Sequence, residues 1–220
     1  PTAWRRNLWH SKVDPHWELE APAWPEPAIG SDLKYFEKAY YRWRRYMLSG
    51  GDPVKLSVEE AGRAGLSCFI SYRMNDHHHA EYPDCPTHNA IYRNLHEAQF
   101  LPGVSGPLPA GHMGFFDYRD ERVRRYYFDL LTELAGSYDV DGLELDFMRS
   151  PAYFPDGGVE EGLPVMGDFV CSVRAMLDGL EATRGRRLRL CARVPKSPAE
   201  CLRVGLNVEE WVGRGWVDML

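Results

Sequence analysis

Two acidic residues, Glu144 and Asp146, stand two positions apart in an otherwise apolar run at 140–147, Val-Asp-Gly-Leu-Glu-Leu-Asp-Phe. Read as a β-strand, the run alternates its side chains: Leu143, Leu145 and Phe147 form one face, and Gly142, Glu144 and Asp146 form the other. The two acids then share a face, with Cα atoms about 6.8 Å apart along the strand. Asp146 is expected at the C-terminal mouth and Glu144 one layer deeper. Burying two carboxylates without partners costs several kcal/mol. They are therefore either structural acids held by Arg73 or Arg193, or acids used in nucleophilic or acid–base chemistry.

Further reactive and binding groups follow other apolar runs. Arg73-Met-Asn-Asp76 directly follows the run at 66–72, so Arg73, Asn75 and Asp76 are expected at the same mouth, Asn75 and Asp76 as hydrogen-bonding partners for hydroxyl groups or as loop caps. Arg149 and Arg193 sit at strand ends, where a planar guanidinium fork fits a carboxylate, either of the protein or of an acidic sugar. His77-His-His79 suggests a metal set. Adjacent histidines in an extended loop alternate in direction, so only His77 and His79 converge, with Asp76 and His88 as further ligands. Hydrogen bonding of His77 to substrate or loop is the competing reading. His96 and His112 read as satisfied loop histidines. Tyr72, Tyr153, Phe154 and the N-terminal tryptophans offer flat faces for stacking, or simply core. No serine nucleophile elbow, H-E-x-x-H or coupled Cys–His motif appears.

The elements that must position these groups alternate. Residues 1–30 hold five prolines and four tryptophans, a composition that forbids a regular helix and predicts an ordered loop. Ser31-Asp32 caps a helix whose apolar residues Leu33, Phe36, Tyr40, Trp43 and Met47 recur at three- and four-residue steps. Ser57-Val-Glu-Glu60 reads as a capping box opening a second helix that stops at Gly65. A strand at 66–72 and a long polar stretch at 75–116 follow. Asp117-Tyr-Arg-Asp120 begins a third helix with the stripe Val123, Tyr127, Leu130, Leu131, Leu134. After the acidic strand come a helix through Phe169, Val173, Met176, Leu177 and Leu180 closed by Gly185, a strand at 188–194, a short helix at 208–212 and a last strand at 216–220. Such alternation predicts an α/β chain with a parallel sheet, either doubly wound or a (β/α) barrel. No glycine-rich phosphate fingerprint follows any strand, which favours the barrel. Four strands are visible where a closed barrel needs eight, so residues 1–220 are expected to form a single, incomplete barrel domain cut from a longer chain.

Composition bounds the function. The chain has 220 residues, 44% hydrophobic and 26% charged, with a net charge of −6. This acidic balance argues against nucleic acid as a partner, and the arginine-rich runs at 42–45 and 184–189 read as local faces. No apolar run is long enough to span a membrane. Five cysteines, Cys68, Cys85, Cys171, Cys191 and Cys201, show no paired spacing and are expected as mostly buried free thiols. The first residue is Pro1, with no charged-then-apolar leader, so localisation is open, as is oligomeric state.

Residues 138–149, Tyr-Asp-Val-Asp-Gly-Leu-Glu-Leu-Asp-Phe-Met-Arg, follow a helix that opens on Phe116-Asp-Tyr and carries Val123-Arg124. Together they resemble the Y-D-V-D-G-(hydrophobic)-x-(hydrophobic)-D segment of glycoside-hydrolase-like (β/α)8 TIM barrels, and the stretches from Gly205 and from Gly215 are similar to the same barrels. The resemblance covers roughly 115–220 and is specific to the superfamily rather than to one family. It implies hydrolysis of O-glycosidic bonds of a carbohydrate substrate, with Asp146 as nucleophile or base and no cofactor. The second carboxyl would lie about 5 to 5.5 Å away for retention or about 6.5 to 9.5 Å for inversion. Glu144 is the candidate proton donor, and Glu200 lies after the next strand. Chitinase-like barrels share the rhythm D-G-x-D-x-D-x-E, but Glu144 replaces the middle acid and Met148 stands where the final donor would be, which disfavours that mechanism. The alternatives are a metal-dependent hydrolase using Asp76, His77 and His79, and a non-catalytic carbohydrate-binding barrel.

Overall fold

The computed structural model describes residues 2–3, 6–15, 31–78, 80, 88–89, 91–106, 108–109 and 112–220. Most of the proline- and tryptophan-rich segment, His79 and Cys85 lie outside the described residues. In chain order the elements are β1 (Thr2–Ala3), β2 (Arg6–Asn7), α1 (Ser31–Leu48), α2 (Pro53–Arg63), β3 (Phe69–Arg73), α3 (Ile91–Asn94), β4 (Gln99–Phe100), β5 (Phe115–Phe116), α4 (Glu121–Ser137), β6 (Gly142–Asp146), α5 (Val159–Arg184), β7 (Arg189–Arg193), α6 (Pro198–Arg203) and α7 (Val208–Gly213).

The centre is a parallel sheet in the order β3-β6-β7, with α4 packed on β6, α5 on β7, and the two helices against each other. Register sets Ser71 beside Glu144 and Cys191, and Arg73 beside Asp146 and Arg193. Ile70, Tyr72, Leu143, Leu145, Leu190 and Ala192 are all buried on the helix side, joined by the α4 stripe Val123, Tyr127, Leu130, Leu131 and Leu134. The opposite face carries Phe69, Ser71, Arg73, Gly142, Glu144, Asp146, Arg189, Cys191 and Arg193, as the period-2 reading of the acidic strand requires. Among the described residues this is an α/β arrangement with three parallel strands and no closed barrel. The expected fourth strand at 216–220 is reduced to one parallel bridge, Cys191 to Met219, with Asp218 N–H donating to the Leu190 carbonyl at 2.8 Å.

Several boundaries moved for identifiable reasons. Helix α2 begins at Pro53, not Ser57: Asp52 accepts from Lys55 N–H at 2.9 Å and proline sits in the first turn, where its missing N–H is harmless. The Ser57 hydroxyl donates instead to the Pro53 carbonyl at 2.8 Å. Helix α4 is capped by Asp120, the last residue of the expected start Asp117-Tyr-Arg-Asp120. Helix α5 starts ten residues before Phe169 and carries Pro164 inside it, and Gly185 closes it at φ +67° as expected. Helix α6, capped by Ser197, was not expected. The described part of the stretch 75–116 contains α3 and the antiparallel pair β4–β5.

Arg184, Arg186 and Arg187 hold the amino-terminal ends of the strands. Arg186 pairs with Asp141 at 2.9 Å and with Asp139, Arg187 pairs with Asp218 at 2.7 Å, and Arg184 donates to the Tyr138 carbonyl at 3.0 Å. Asp141 also accepts from Cys68 N–H at 2.7 Å. The first two acids of the Tyr-Asp-Val-Asp motif are thus structural. Cys191 and Cys201 are buried, while Cys68 and Cys171 are half-buried free thiols.

Candidate functional site

Asp146 ends the central strand and is 4% exposed. One carboxylate oxygen accepts from Met148 N–H at 3.0 Å and the other faces Arg193 Nη1 at 3.4 Å. The ladder continues past it: Met74 N–H donates to the Asp146 carbonyl at 3.1 Å and Phe147 N–H to the Arg193 carbonyl at 2.9 Å, so three adjacent strand ends hold the carboxylate in place. Glu144 lies one layer deeper on the same face, half-buried, and accepts from the Ser71 hydroxyl at 2.6 Å. Its charge, after burial itself, helps push the neighbouring Cys191 thiol up to about 11.

Arg73 does not turn to Asp146. Its guanidinium donates to Asp76 at 2.8 Å. Asp76, 2% exposed, also accepts from His78 N–H at 3.0 Å and from His78 Nδ1. Burial alone would raise this carboxyl. The hydrogen bonds from His78 and Arg73 and the attraction of His78 prevail and hold it well below the usual carboxylate range. On its other edge, His78 Nε2 meets Arg149 Nη2. Asp76, His78 and Arg149 thus lie in a line of contacts from the buried end of the β3 loop to the exposed rim of the β6 loop. Ser150, next to Arg149, has φ 59°, the one positive value at a non-glycine position among the described residues.

The remaining predicted residues are placed differently. Asn75 is fully buried: its amide donates to the carbonyls of Phe116 at 3.1 Å and Ala152 at 2.6 Å, and its oxygen accepts from Phe116 N–H at 3.1 Å. It ties the β3 loop to β5 and to the β6 loop. Tyr153 is buried, with its hydroxyl on the Phe147 carbonyl at 2.6 Å, and burial, chiefly, raises its pKa. Phe154 is buried between Gly162 and Gly205, where an added Cβ would strike its ring, and Tyr72 lies in the helix-side core. All three aromatics serve the core instead of a sugar face. His77 stacks on Phe115 at 4.1 Å and donates to the Met113 carbonyl at 3.2 Å, and His88 donates to the His78 carbonyl at 3.1 Å. No group of three or more metal-ligating side chains converges among the described residues. Asp76 has its oxygens on Arg73 and His78, which disfavours the Asp76/His77/His79 metal set, although His79 lies outside the described residues. Glu200 falls in the first turn of α6, near Lys196 at 3.6 Å and Arg203 at 3.8 Å.

Sequence reasoning missed His78. Its only sequence signal is its place two residues after Asp76, the spacing at which an aspartate accepts the following backbone N–H in an Asx turn.

No family model matches the chain, and no curated protein matches it. Among solved structures the chain is similar to the noncanonic maltogenic alpha-amylase AmyB from Thermotoga neapolitana, with 19% identity, covering 71% of this chain and 31% of that one, at a TM-score of 0.42. It is also similar to an alpha-amylase from Malbranchea cinnamomea, with 14% identity, covering 77% and 33%, at 0.44. A third is the alpha-galactosidase TtGalA from Thermus thermophilus, with 16% identity, covering 76% and 39%, at 0.33. The chain spans about a third of the length of those proteins.

Proposed function

We propose that this chain carries the nucleophilic side of a carbohydrate-cleaving hydrolase, with its parallel sheet as one arc of a (β/α)8 barrel and its active site at the strands' C-terminal ends. The observation behind this reading is Asp146: a carboxylate at the end of the central strand, on the sheet face away from the helices, held by a backbone N–H and facing a guanidinium. In such a reaction an Asp146 oxygen attacks the anomeric carbon, or removes a proton from the water that does. The bond from that carbon to the leaving oxygen breaks, and that oxygen takes a proton from a second acid.

Glu144 is the second acid of this proposal. Its position on the same face supports the role, with the Ser71 hydroxyl fixing its orientation. Arg193 gives the Asp146 carboxylate a cationic neighbour at the mouth. Arg73, Asp76, His77 and Arg149 border the substrate in this reading, while Asn75 and Tyr153 shape the loops that carry them.

The test is turnover of α- and β-linked nitrophenyl glycosides by the protein, compared with Asp146→Asn. Loss of at least about a thousandfold in kcat with an unchanged melting profile supports the assignment. Retained turnover in the variant overturns it.

A further inference from the structure

Tyr153 closes the loop that Asp146 opens. Its hydroxyl returns to the Phe147 carbonyl at 2.6 Å, and because a carbonyl oxygen only accepts, the hydroxyl is the donor. Burial, and then the nearby charge of Asp146, raises the pKa of that hydroxyl and keeps it protonated. The ring is 1% exposed and wedged edge-on against Phe147 and Tyr118, with centroids 5.3 and 5.6 Å away. Its backbone is tied to two other elements: Tyr118 N–H, just before α4, donates to the Tyr153 carbonyl at 3.0 Å, and the Asn75 amide, after β3, to the Ala152 carbonyl at 2.6 Å.

The carbonyl of Phe147 and the N–H of Met148 belong to one planar peptide. Tyr153 holds the oxygen of that peptide, and its N–H donates to the Asp146 carboxylate at 3.0 Å. A plane held at one edge fixes where the other edge points. A donor on the carbonyl also polarises the peptide and strengthens its N–H as a donor. Between the two ends of the loop, Ser150 has φ 59°, and such a conformation persists only where the surrounding structure over-determines it. The Tyr153 hydroxyl supplies part of that constraint.

We infer that Tyr153 is a positioning residue for Asp146: by holding the carbonyl of the peptide between Phe147 and Met148, it aims that peptide's N–H at the carboxylate and so fixes the carboxylate's orientation. With one oxygen committed to Met148, the other, on the Arg193 side at 3.4 Å, is the one presented to substrate. The catalytic consequence rests on the proposed hydrolase reading; the geometric one does not.

The experiment compares wild type with Tyr153→Phe and Tyr118→Phe. Each variant keeps its ring and loses one buried hydroxyl, and the Tyr118 hydroxyl donates to a different carbonyl, that of Met74. Amide hydrogen exchange followed by NMR should speed up at Met148 at least about tenfold in Tyr153→Phe and stay within about twofold of wild type in Tyr118→Phe. With nitrophenyl glycosides as substrates, Tyr153→Phe should lower kcat about ten- to a hundredfold while KM stays within about twofold, a split that loss of core packing alone would not produce. Unchanged Met148 exchange in Tyr153→Phe overturns the inference, as does equal acceleration in both variants or a kcat that survives the faster exchange. The hydrolase reading fails by a different result, retained turnover in Asp146→Asn. Exchange is read without substrate, so the two failures are separable.

Discussion

Asp146 and Arg193 lie directly opposite each other in register on β6 and β7, with carboxylate oxygen and guanidinium nitrogen 3.4 Å apart, yet the arginine side chain is 61% exposed while the aspartate side chain is 5% exposed. A pair this asymmetric contributes little to folding, because water screens the exposed partner. Arg193→Ala is expected to change stability by less than about 1 kcal/mol. Under the proposed chemistry it should lower kcat/KM at least tenfold. Urea melts and steady-state kinetics on the same variant check both statements, and a large stability loss would mean that the pair is structural.

Asp76 gives the fold an acid-sensitive element. Its folded-state pKa lies below the ordinary value, so the unfolded chain takes up a proton first as pH falls and stability drops with it. Its contribution is complete above the usual carboxylate range and fades as pH falls from about 5 toward the depressed folded value. Asp76→Asn should flatten this part of the stability-versus-pH curve and cost about 2–3 kcal/mol near neutral pH through its charge-assisted bonds. Urea midpoints followed from neutral pH to about pH 3 would show it; equal slopes for both proteins would contradict the assignment.

Asn75 distinguishes a loop anchor from a ligand contact. With Ala at this position, Phe116 N–H loses its acceptor and the Phe116 and Ala152 carbonyls lose a donor, at a cost of about 2–4 kcal/mol. A thermal melt should fall markedly. Unchanged stability with a raised KM would instead identify Asn75 as a substrate contact.

Gly142 admits no side chain. A Cβ there would run into the carbonyl oxygen of Arg189 on β7 and the ring of Phe69 on β3. Gly142→Ala is expected to destabilise by about 1–3 kcal/mol, because strand separation cannot widen without breaking the ladder. A denaturant midpoint unchanged from wild type would show that the sheet can adjust.

Cys191 should be nearly inert. With its thiol pushed up to about 11 by burial and by Glu144 and Asp218, only about one molecule in a thousand is thiolate at pH 8. Iodoacetamide labelling with peptide mapping should leave Cys191 unmodified in the folded protein. Glu144→Gln removes one cause of the shift and should speed the reaction at the same pH; an unchanged rate would argue that the two side chains do not face each other.

Periodicity and capping were readable because they are local. The alternation in Val140-Asp-Gly-Leu-Glu-Leu-Asp-Phe147 is a property of the backbone, so Glu144 and Asp146 had to share a face and Leu143 and Leu145 had to meet the helices. The α4 stripe and the glycine after α5 were equally plain. Local rules were also sufficient, though unread, for Asp52-Pro53 and for Ser197 as helix starts.

Sequence by itself thus determined the α/β alternation, the faces of the strands and the end of β6 at which Asp146 stands. Tertiary structure alone decided which groups meet there: Arg73 turning to Asp76, Asn75 buried against Phe116 and Ala152, Tyr153 and Phe154 committed to the core, and His78 rather than His77 joining Asp76 to Arg149. The physical reason is distance along the chain. A face is set by neighbours two residues apart, whereas the contact of His78 with Arg149 joins residues 71 positions apart and exists only once β3 and β6 have paired and brought their loops together.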